Sequence, residues 1–235
     1  PKRPLPIRIL TFLFIASVAY ATGFVMTIVT SPEIKELYNP ISDAETLSLF
    51  TPEPGSAAAS LEAQIQTHPL LAKLREDSLL GEARPHLKIP APMRSTNLTG
   101  GTLLGDDMIG IPPIMFVARD GSRMVSFHHV GPALCGHPGI VHGGLLATLL
   151  DEGLARCCFP ALPHKIGMTA SLKVDYKAPC QANQFVVLRA ETTKVEGRKA
   201  WVRGRLETLV DEDKGETPVV LVEAEALFIE PREAA

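Results

Sequence analysis

One stretch of this chain, residues 136–151, contains both a break in regular structure and the start of an apolar helix. Pro138 and four glycines interrupt its first nine residues, and a run of apolar residues follows. Leucines recur there at the three- and four-residue spacings of a helix face that is aimed at a core: Leu145, Leu146, Leu149, Leu150 and Leu154. The pattern predicts a helix from about His142 to Cys158 that carries a carboxylate, Asp151, in its middle.

The first turn of this helix is a candidate binding site for an oxyanion. Backbone N–H groups there have no partner within the helix, and no side chain covers them at Gly143 and Gly144. Together with the positive end of the helix dipole, such donors suit an oxygen that becomes negative during a reaction. Asp151 is then a second reactive group on the same element, although a solvent-facing or capping aspartate explains it equally well.

The spacing of these groups predicts a dimer. Gly143 and Asp151 are eight residues apart, which is about 12 Å along one helix axis and too far to reach one small carbonyl group. If both act on one substrate, a second copy must lay its helix alongside in the opposite direction, as in an isologous dimer with two equivalent sites. Thr169, at the start of the next strand, is a candidate to hold a water molecule or to orient the carboxylate.

The chain around this helix alternates between apolar and polar residues with the period of two that is typical of strands. Two such segments flank the hairpin turn Asp120–Gly121, and others follow the helix over residues 166–176, 185–195, 199–210 and 219–229. Because strands and helices do not alternate along the chain, a parallel sheet is not expected. We predict an α+β fold, in which a curved antiparallel sheet of five to six strands wraps around one long central helix.

The N-terminal part predicts a membrane anchor. Residues 9–29 are almost entirely apolar and follow Lys2, Arg3 and Arg8, and they would extend about 31 Å as a helix. A cleaved secretory signal ending at residues 19–21 and a mitochondrial presequence with an inner-membrane stop are the alternatives. We favour the anchor because the apolar run is longer than that of a usual signal peptide. The basic flank predicts that the N-terminus stays on the cytosolic or matrix side.

We expect three segments in the chain: a basic flank and transmembrane anchor at residues 1–30, a helical or irregular connecting region at 31–105, and the main domain at 106–232. Ser42 and Glu45 form a capping-box pattern, which predicts a helix start in the connecting region. That region is expected to be a spacer that packs partly on the main domain. A net charge of −3 argues against a general nucleic-acid partner.

Several potential metal ligands lie close to the helix in sequence: Cys135, His137, His142, His128 and His129. Their spacing fits no standard structural zinc site, so we expect neither a metal ion nor another cofactor. The four cysteines include no C-x-x-C pair, which fits a reducing compartment.

The residues around the start of the helix form a motif: Pro138, Gly139, His142, Gly143, Gly144, Thr148 and Asp151. This motif resembles that of the hotdog-fold acyl-CoA thioesterases, and most of all the PaaI-like branch that includes the mitochondrial carboxyl-terminal modulator-like thioesterases. Residues 167–172 and 174–179 match the same family. The resemblance covers about residues 106–230 and implies a hotdog fold, a homodimer or dimer of dimers, and hydrolysis of acyl-CoA to a free acid and CoA.

The resemblance also implies roles for individual residues. The N–H of Gly143 polarises the thioester carbonyl, while Asp151 of the other protomer aligns or deprotonates the attacking water, or attacks directly. Thr169 matches a hydroxyl residue that assists, and His142 mostly shapes the loop. Gly144 and His137 are expected to contact the substrate.

CoA phosphates in this family lie along the edge of a hairpin that carries positive charge. Arg198 and Lys199, beside the turn of the corresponding hairpin, are therefore predicted to bind them; the alternative is that they are solvated strand charges. One departure concerns Gly136, where many family members have an Asn or Gln side chain as a second donor to the carbonyl. Either His137 or a backbone N–H substitutes, or the oxyanion site is weaker and turnover is slow.

The sequence thus predicts an acyl-CoA thioesterase that is anchored in a membrane, with a mitochondrial location implied by the resemblance. A non-catalytic acyl-CoA-binding or regulatory module of the same fold is the alternative that Gly136 suggests. A hotdog enoyl-CoA hydratase or dehydratase fits less well, because those enzymes use a catalytic histidine and the glycine-rich opening of the helix does not suit them.

Overall fold

The computed structural model describes residues 4–30 and 41–232, and the chain divides into two compact units, with the division between residues 41 and 42. The first unit contains helix α1 (Leu5–Thr30). Its segment Phe12–Thr30 has a mean hydropathy of 2.1, so it is long and apolar enough to cross a membrane by length and composition. Lys2 and Arg3 of the predicted basic flank lie outside the described residues.

The second unit begins with short helices that precede and follow the first strand. They are α2 (Asp43–Thr46), α3 (Ala57–Gln66), α4 (Pro69–Glu76) and α5 (Ala91–Arg94), with a 3₁₀ turn at Pro85–Lys88 and a π turn at Leu98–Thr102. The capping box predicted at Ser42 and Glu45 is confirmed, because each residue's side chain binds the backbone of the other at the start of α2. Ser56 caps α3 in a similar way by accepting from the N–H of Ala59.

Seven strands form one fully antiparallel sheet: β1 (Leu80–Ala83), β2 (Ile114–Ala118), β3 (Arg123–Val130), β6 (Met168–Tyr176), β7 (Gln184–Glu196), β8 (Lys199–Thr208) and β9 (Val220–Ile229). Their order across the sheet is β1-β2-β3-β7-β8-β9-β6. A separate two-stranded ribbon, β4 (Cys135–His137) with β5 (Ile140–Val141), leads into the long helix α6 (Gly143–Cys158).

The antiparallel sheet around a central helix confirms the predicted fold class, but the predicted number of strands is too low. The additional strand is β1, which pairs with β2 over four residues and extends the sheet at that edge. Its sequence Leu-Gly-Glu-Ala is short and lacks an apolar alternation, so the period of two does not reveal it. The connecting region therefore contributes a strand to the sheet, and the predicted boundary at residues 105 and 106 falls inside the second unit.

Helix α6 packs on one face of the sheet through the leucine face that the sequence predicts. Leu149, Leu150 and Leu154 are at most 1% exposed. The helix comes close to the sheet at Gly204 of β8, where a Cβ atom would lie 2.7 Å from Cδ2 of Leu154 and 2.6 Å from the carbonyl oxygen of Arg189. The absence of a side chain at Gly204 thus sets the depth at which α6 lies against the sheet.

The opposite face of the sheet is covered at one end by helices from the connecting region. Ile65 of α3 and Leu71 of α4 are fully buried against an apolar cluster that includes Phe116, Phe127 and Phe185. Part of the connecting region therefore forms a packed layer of the fold.

A buried polar cluster joins the segment before β2 to the flank of α6. The hydroxyl of Thr99 lies 2.8 and 2.9 Å from the two carboxylate oxygens of Glu152, and Nε2 of His86 lies 3.3 Å from the same hydroxyl. Burial acts to raise the pKa of Glu152, but His86 and Thr99 outweigh it and leave this pKa below its usual value. His128 of β3 lies nearby and shares a 2.9 Å hydrogen bond with Ser126.

We expect the free energy of unfolding to fall as the pH drops from 7 to 5, because His128 is buried in its neutral form. The pKa of His128 is lowered to about 3, mainly by burial. His86 and Arg156 add to this lowering, and Glu152 opposes it. In the unfolded chain a histidine titrates near pH 6.5, so the unfolded state binds a proton that the folded state does not, and stability rises with pH in this range. Between pH 7 and pH 5, His128 alone is expected to lower the free energy of unfolding by about 2 kcal/mol.

Urea unfolding of the purified chain at both pH values measures this loss. His128→Gln keeps a neutral hydrogen-bonding group beside Ser126 and removes the titration, so its stability is expected to depend less on pH by that amount. An equal pH dependence in the parent and the variant would show that His128 is not the group responsible.

Candidate functional site

The first turn of α6 has one backbone N–H group without a hydrogen-bond acceptor in the described part of the chain. His142 is the N-cap: its Nδ1 accepts from the N–H of Gly144 at 2.9 Å, and its carbonyl oxygen accepts from the N–H of Leu145 at 3.0 Å. Within the described part of the chain, the N–H of Gly143 has no acceptor. Of the two predicted glycine donors, the N–H of Gly143 is therefore the one that can meet a substrate oxygen, while the N–H of Gly144 is already bound.

Gly143 is covered on one side by an aromatic residue to which no sequence pattern assigns a role. Tyr176 of β6 donates a 2.7 Å hydrogen bond from its hydroxyl to the carbonyl oxygen of Gly143. A Cβ atom at Gly143 would lie 3.2 Å from Cε1 of this ring. The residue missing from the predicted site is thus Tyr176, which reaches α6 only because the sheet brings the end of β6 to the start of the helix.

The structure gives a steric reason for Gly136, where the family pattern has Asn or Gln. A Cβ atom at Gly136 would lie 2.9 Å from Cδ2 of His142 and 3.2 Å from its Cα. A longer side chain at this position would therefore displace the histidine that caps α6. The ring of His142 fills the space in which a second side-chain donor would begin.

Asp151 lies two turns further along α6 and is half-buried. Its Oδ1 accepts a 2.8 Å hydrogen bond from the hydroxyl of Thr169 on β6. The structure therefore brings the half-buried predicted carboxylate together with the predicted hydroxyl residue, which is exposed on the edge strand β6. Within one chain, Gly143 and Asp151 remain about 12 Å apart along the helix axis.

The predicted substrate-binding residues outside α6 lie in two places. His137 is exposed at the end of β4 and pairs with Ile140. Arg198 and Lys199 lie at the hairpin between β7 and β8, where Nη1 of Arg198 donates to the carbonyl oxygen of Glu230 at 2.6 Å. Lys199 on β8 pairs with Ile229 on β9, and Ile229 pairs with Met168 on β6. Lys199 and Met168 are therefore two strand spacings apart, which is about 10 Å across the sheet. This hairpin therefore lies at the same end of the sheet as Thr169.

The histidines and cysteines near α6 do not converge on one point. His128 bonds to Ser126, whereas His129 contacts the ring of Phe185, at a centroid distance of 5.3 Å. Over residues 4–30 and 41–232, no group of three or more His, Cys, Asp or Glu side chains is placed to hold a metal ion.

The buried cysteines are poor candidates for a nucleophile. Burial raises the pKa of Cys157 to about 11, that of Cys158 to about 12 and that of Cys180 to about 11. Because the thiolate is the reactive form, these thiols are almost wholly unreactive at neutral pH. Asp151 therefore remains a candidate reactive group on α6, whereas these thiols do not.

Comparison with known proteins places these residues in a family. The model of the thioesterase superfamily matches residues 138–214. An uncharacterized mitochondrial protein of Candida albicans (strain WO-1) is 35% identical over 173 residues, which are 74% of this chain and 77% of that protein. The MIOREX complex component 3 of Saccharomyces cerevisiae is 33% identical over 145 residues, which are 62% of this chain and 54% of that protein.

A relative whose name includes an activity is the acyl-coenzyme A thioesterase THEM4 of Mus musculus, which is 35% identical over 124 residues. The match covers 53% of this chain and 50% of that protein, so this chain spans about half the length of that relative. The segment that matches the family model contains α6 and β6, and with them Gly143, Asp151, Thr169 and Tyr176. This chain is a member of the thioesterase superfamily and has its hotdog fold.

Proposed function

We propose that this protein is an acyl-CoA thioesterase, which hydrolyses an acyl-CoA to a free acid and CoA at sites shared between two protomers. The observation that carries the proposal is the pair of groups along α6: the open N–H of Gly143 at its start, and the carboxylate of Asp151, held by Thr169, two turns later. One donates to an oxygen that gains charge and the other accepts a proton, which are the two functions that thioester hydrolysis requires.

The proposed dimer follows from the distance between these groups and from the exposed edge of the sheet. Strand β6 lies at the edge of the sheet, and its residues Met168 and Tyr176 are 67% and 55% exposed. Pairing of β6 with its copy would cover this edge and bring two α6 helices side by side in opposite directions. Gly144, which has no side chain, and Thr148, which has a small one, lie on the same side of α6, so a second helix can approach closely.

In the proposed mechanism, the thioester oxygen accepts a hydrogen bond from the N–H of Gly143 in one protomer. Asp151 of the other protomer takes a proton from a water molecule as the water oxygen attacks the carbonyl carbon. The tetrahedral intermediate then collapses, the C–S bond breaks, and the proton passes from the carboxyl group to the departing sulfur. Thr169 holds Oδ1 of Asp151, which leaves Oδ2 to accept from the water. Direct attack by Asp151 is the alternative route.

The remaining predicted contacts would hold the CoA part of the substrate. Arg198 has further donors beyond the one that binds Glu230, and Lys199 begins β8 with an exposed ammonium group. Both suit phosphate oxygens. His137 and the bare backbone at Gly144 would border the path of the thioester.

We also propose that α1 anchors the protein in a mitochondrial membrane. The length and hydropathy of Phe12–Thr30 and the mitochondrial relative in Candida albicans support this location. Resistance to extraction from mitochondrial membranes at alkaline pH tests the anchor, and recovery of the protein in the soluble fraction would contradict it.

A panel of acyl-CoAs of increasing chain length tests the activity, with released CoA measured by thiol titration. We expect turnover of at least one chain length by the purified protein. Tight acyl-CoA binding without release of CoA would favour the non-catalytic module, and hydration of an enoyl-CoA would favour the hydratase.

Thr169→Val is expected to lower kcat by about 10- to 100-fold, because the hydrogen bond that orients Asp151 is made to a charged group and such bonds contribute about 1.5–3 kcal/mol. Thr169→Ser keeps the hydroxyl and should retain most of the activity. The CoA-release assay compares the two, and an equally active Val variant would show that Thr169 does not orient the carboxylate.

A further inference from the structure

Tyr176 lies at the end of β6 and contacts Gly143, the residue whose N–H group has no acceptor in the described part of the chain. Its hydroxyl donates to the carbonyl oxygen of Gly143 at 2.7 Å. A Cβ atom at Gly143 would lie 3.2 Å from Cε1, 3.3 Å from Cζ and 3.3 Å from the hydroxyl oxygen of this tyrosine. Because Tyr176 is 55% exposed, this contact does not arise from burial in the core.

The peptide group between Gly143 and Gly144 is held at both ends. Tyr176 binds its carbonyl oxygen, and Nδ1 of His142 accepts from its N–H at 2.9 Å. Hydrogen bonds that are linked through one peptide group strengthen each other. A glycine without such contacts populates a wide range of backbone angles, so these two bonds restrict the first residue of α6 where its own side chain cannot.

We infer that Tyr176 is a positioning residue of the oxyanion site. Its hydroxyl, together with the ring of His142, holds the Gly143–Gly144 peptide in one orientation. This peptide directly follows the one that carries the N–H of Gly143, so holding it restricts rotation at Gly143 and keeps that N–H directed towards the thioester carbonyl. The inference rests on the proposed function, because the N–H must meet an oxygen that gains charge in the transition state. An effect of this kind appears in kcat rather than in KM.

Tyr176→Phe tests the inference, since it keeps the ring against Gly143 and removes only the hydroxyl. We expect kcat to fall about 5- to 10-fold, with KM within about 2-fold of the parent value, because one ordinary hydrogen bond is lost from transition-state stabilisation. Thr193→Val is the matched control. Thr193 also donates from an exposed strand position to a backbone carbonyl, that of Trp201 at 3.1 Å, and its removal should leave kcat unchanged.

A second measurement uses the substrate as a probe. Acyl-CoA with ¹³C at the thioester carbonyl is bound to Asp151→Asn, which slows turnover, and the infrared frequency of that carbonyl reports how strongly Gly143 polarises it. Adding Tyr176→Phe should raise the frequency towards its value in water, whereas adding Thr193→Val should not.

An unchanged carbonyl frequency, an unchanged kcat, or a change in KM alone would each overturn the positioning role of Tyr176. If the parent protein binds acyl-CoA but releases no CoA, the proposed function fails. The infrared comparison still tests Tyr176 in that case, because it requires binding only.

Discussion

Asp151→Asn is expected to lower kcat for acyl-CoA hydrolysis by about 10²- to 10⁴-fold, the range attributed to a positioned general base. Asparagine has nearly the same shape, and its Oδ1 can still accept the hydrogen bond that Thr169 donates to Asp151. What the variant loses is the negative charge that takes a proton from water. Thiol titration of released CoA at saturating substrate measures the change.

Asp213→Asn is the control for this experiment, because Asp213 is an exposed carboxylate that pairs with Lys73 on α4 and lies in the loop before β9. Its variant should hydrolyse acyl-CoA at the parent rate. Hydrolysis by Asp151→Asn at the parent rate would remove Asp151 from the mechanism.

Gly143→Pro is expected to lower kcat by about 10²- to 10³-fold, the cost of one oxyanion donor. Gly143 is the first residue of α6, a position where proline is well accommodated because the missing N–H has no helical partner. His142 before it has φ −62° and ψ 127°, which are angles that a following proline permits. The substitution therefore removes the proposed donor with little effect on the helix.

Gly143→Ala distinguishes the effect of losing the N–H group from the effect of adding a Cβ atom beside Tyr176. Alanine keeps the N–H but places a Cβ atom 3.2 Å from the ring of Tyr176, so a smaller loss is expected than with proline. Both variants are compared in the CoA-release assay after their helical content is checked by circular dichroism. Equal activity of the two variants would show that the N–H of Gly143 is not needed.

The elements with strong periodicity were the ones that could be predicted from the sequence. The leucine spacing places α6 correctly within one residue at its start, since the helix begins at Gly143 rather than at His142. The hairpin at Asp120–Gly121 and the later strands follow from alternation. Strand β1 could not be predicted, because four residues at a sheet edge acquire their structure by pairing with β2 rather than from a pattern of their own.

The candidate site likewise contains some residues that the sequence predicts and others that only the packing of the fold reveals. The sequence makes Thr169 a candidate to hold a water molecule or to orient the carboxylate of Asp151, and in the structure its hydroxyl donates a hydrogen bond to that carboxylate. Tyr176 lies in a predicted strand and in the segment 174–179 that matches the family, but no sequence pattern gives it a role, because its contact with Gly143 depends on how the end of β6 lies against α6. His128 likewise belongs to a predicted strand, and only the packing of α6 and of the segment that carries Thr99 makes it a buried neutral histidine.

The central claim is that Gly143 of one protomer and Asp151 of its partner act on the same thioester. The most direct test co-expresses Gly143→Pro and Asp151→Asn chains with different affinity tags and isolates the mixed dimer by two successive purifications. In that dimer one site has both groups and the other has neither, so we predict about half of the parental rate per dimer. A mixed dimer that is no more active than the two inactive parents would contradict the shared site.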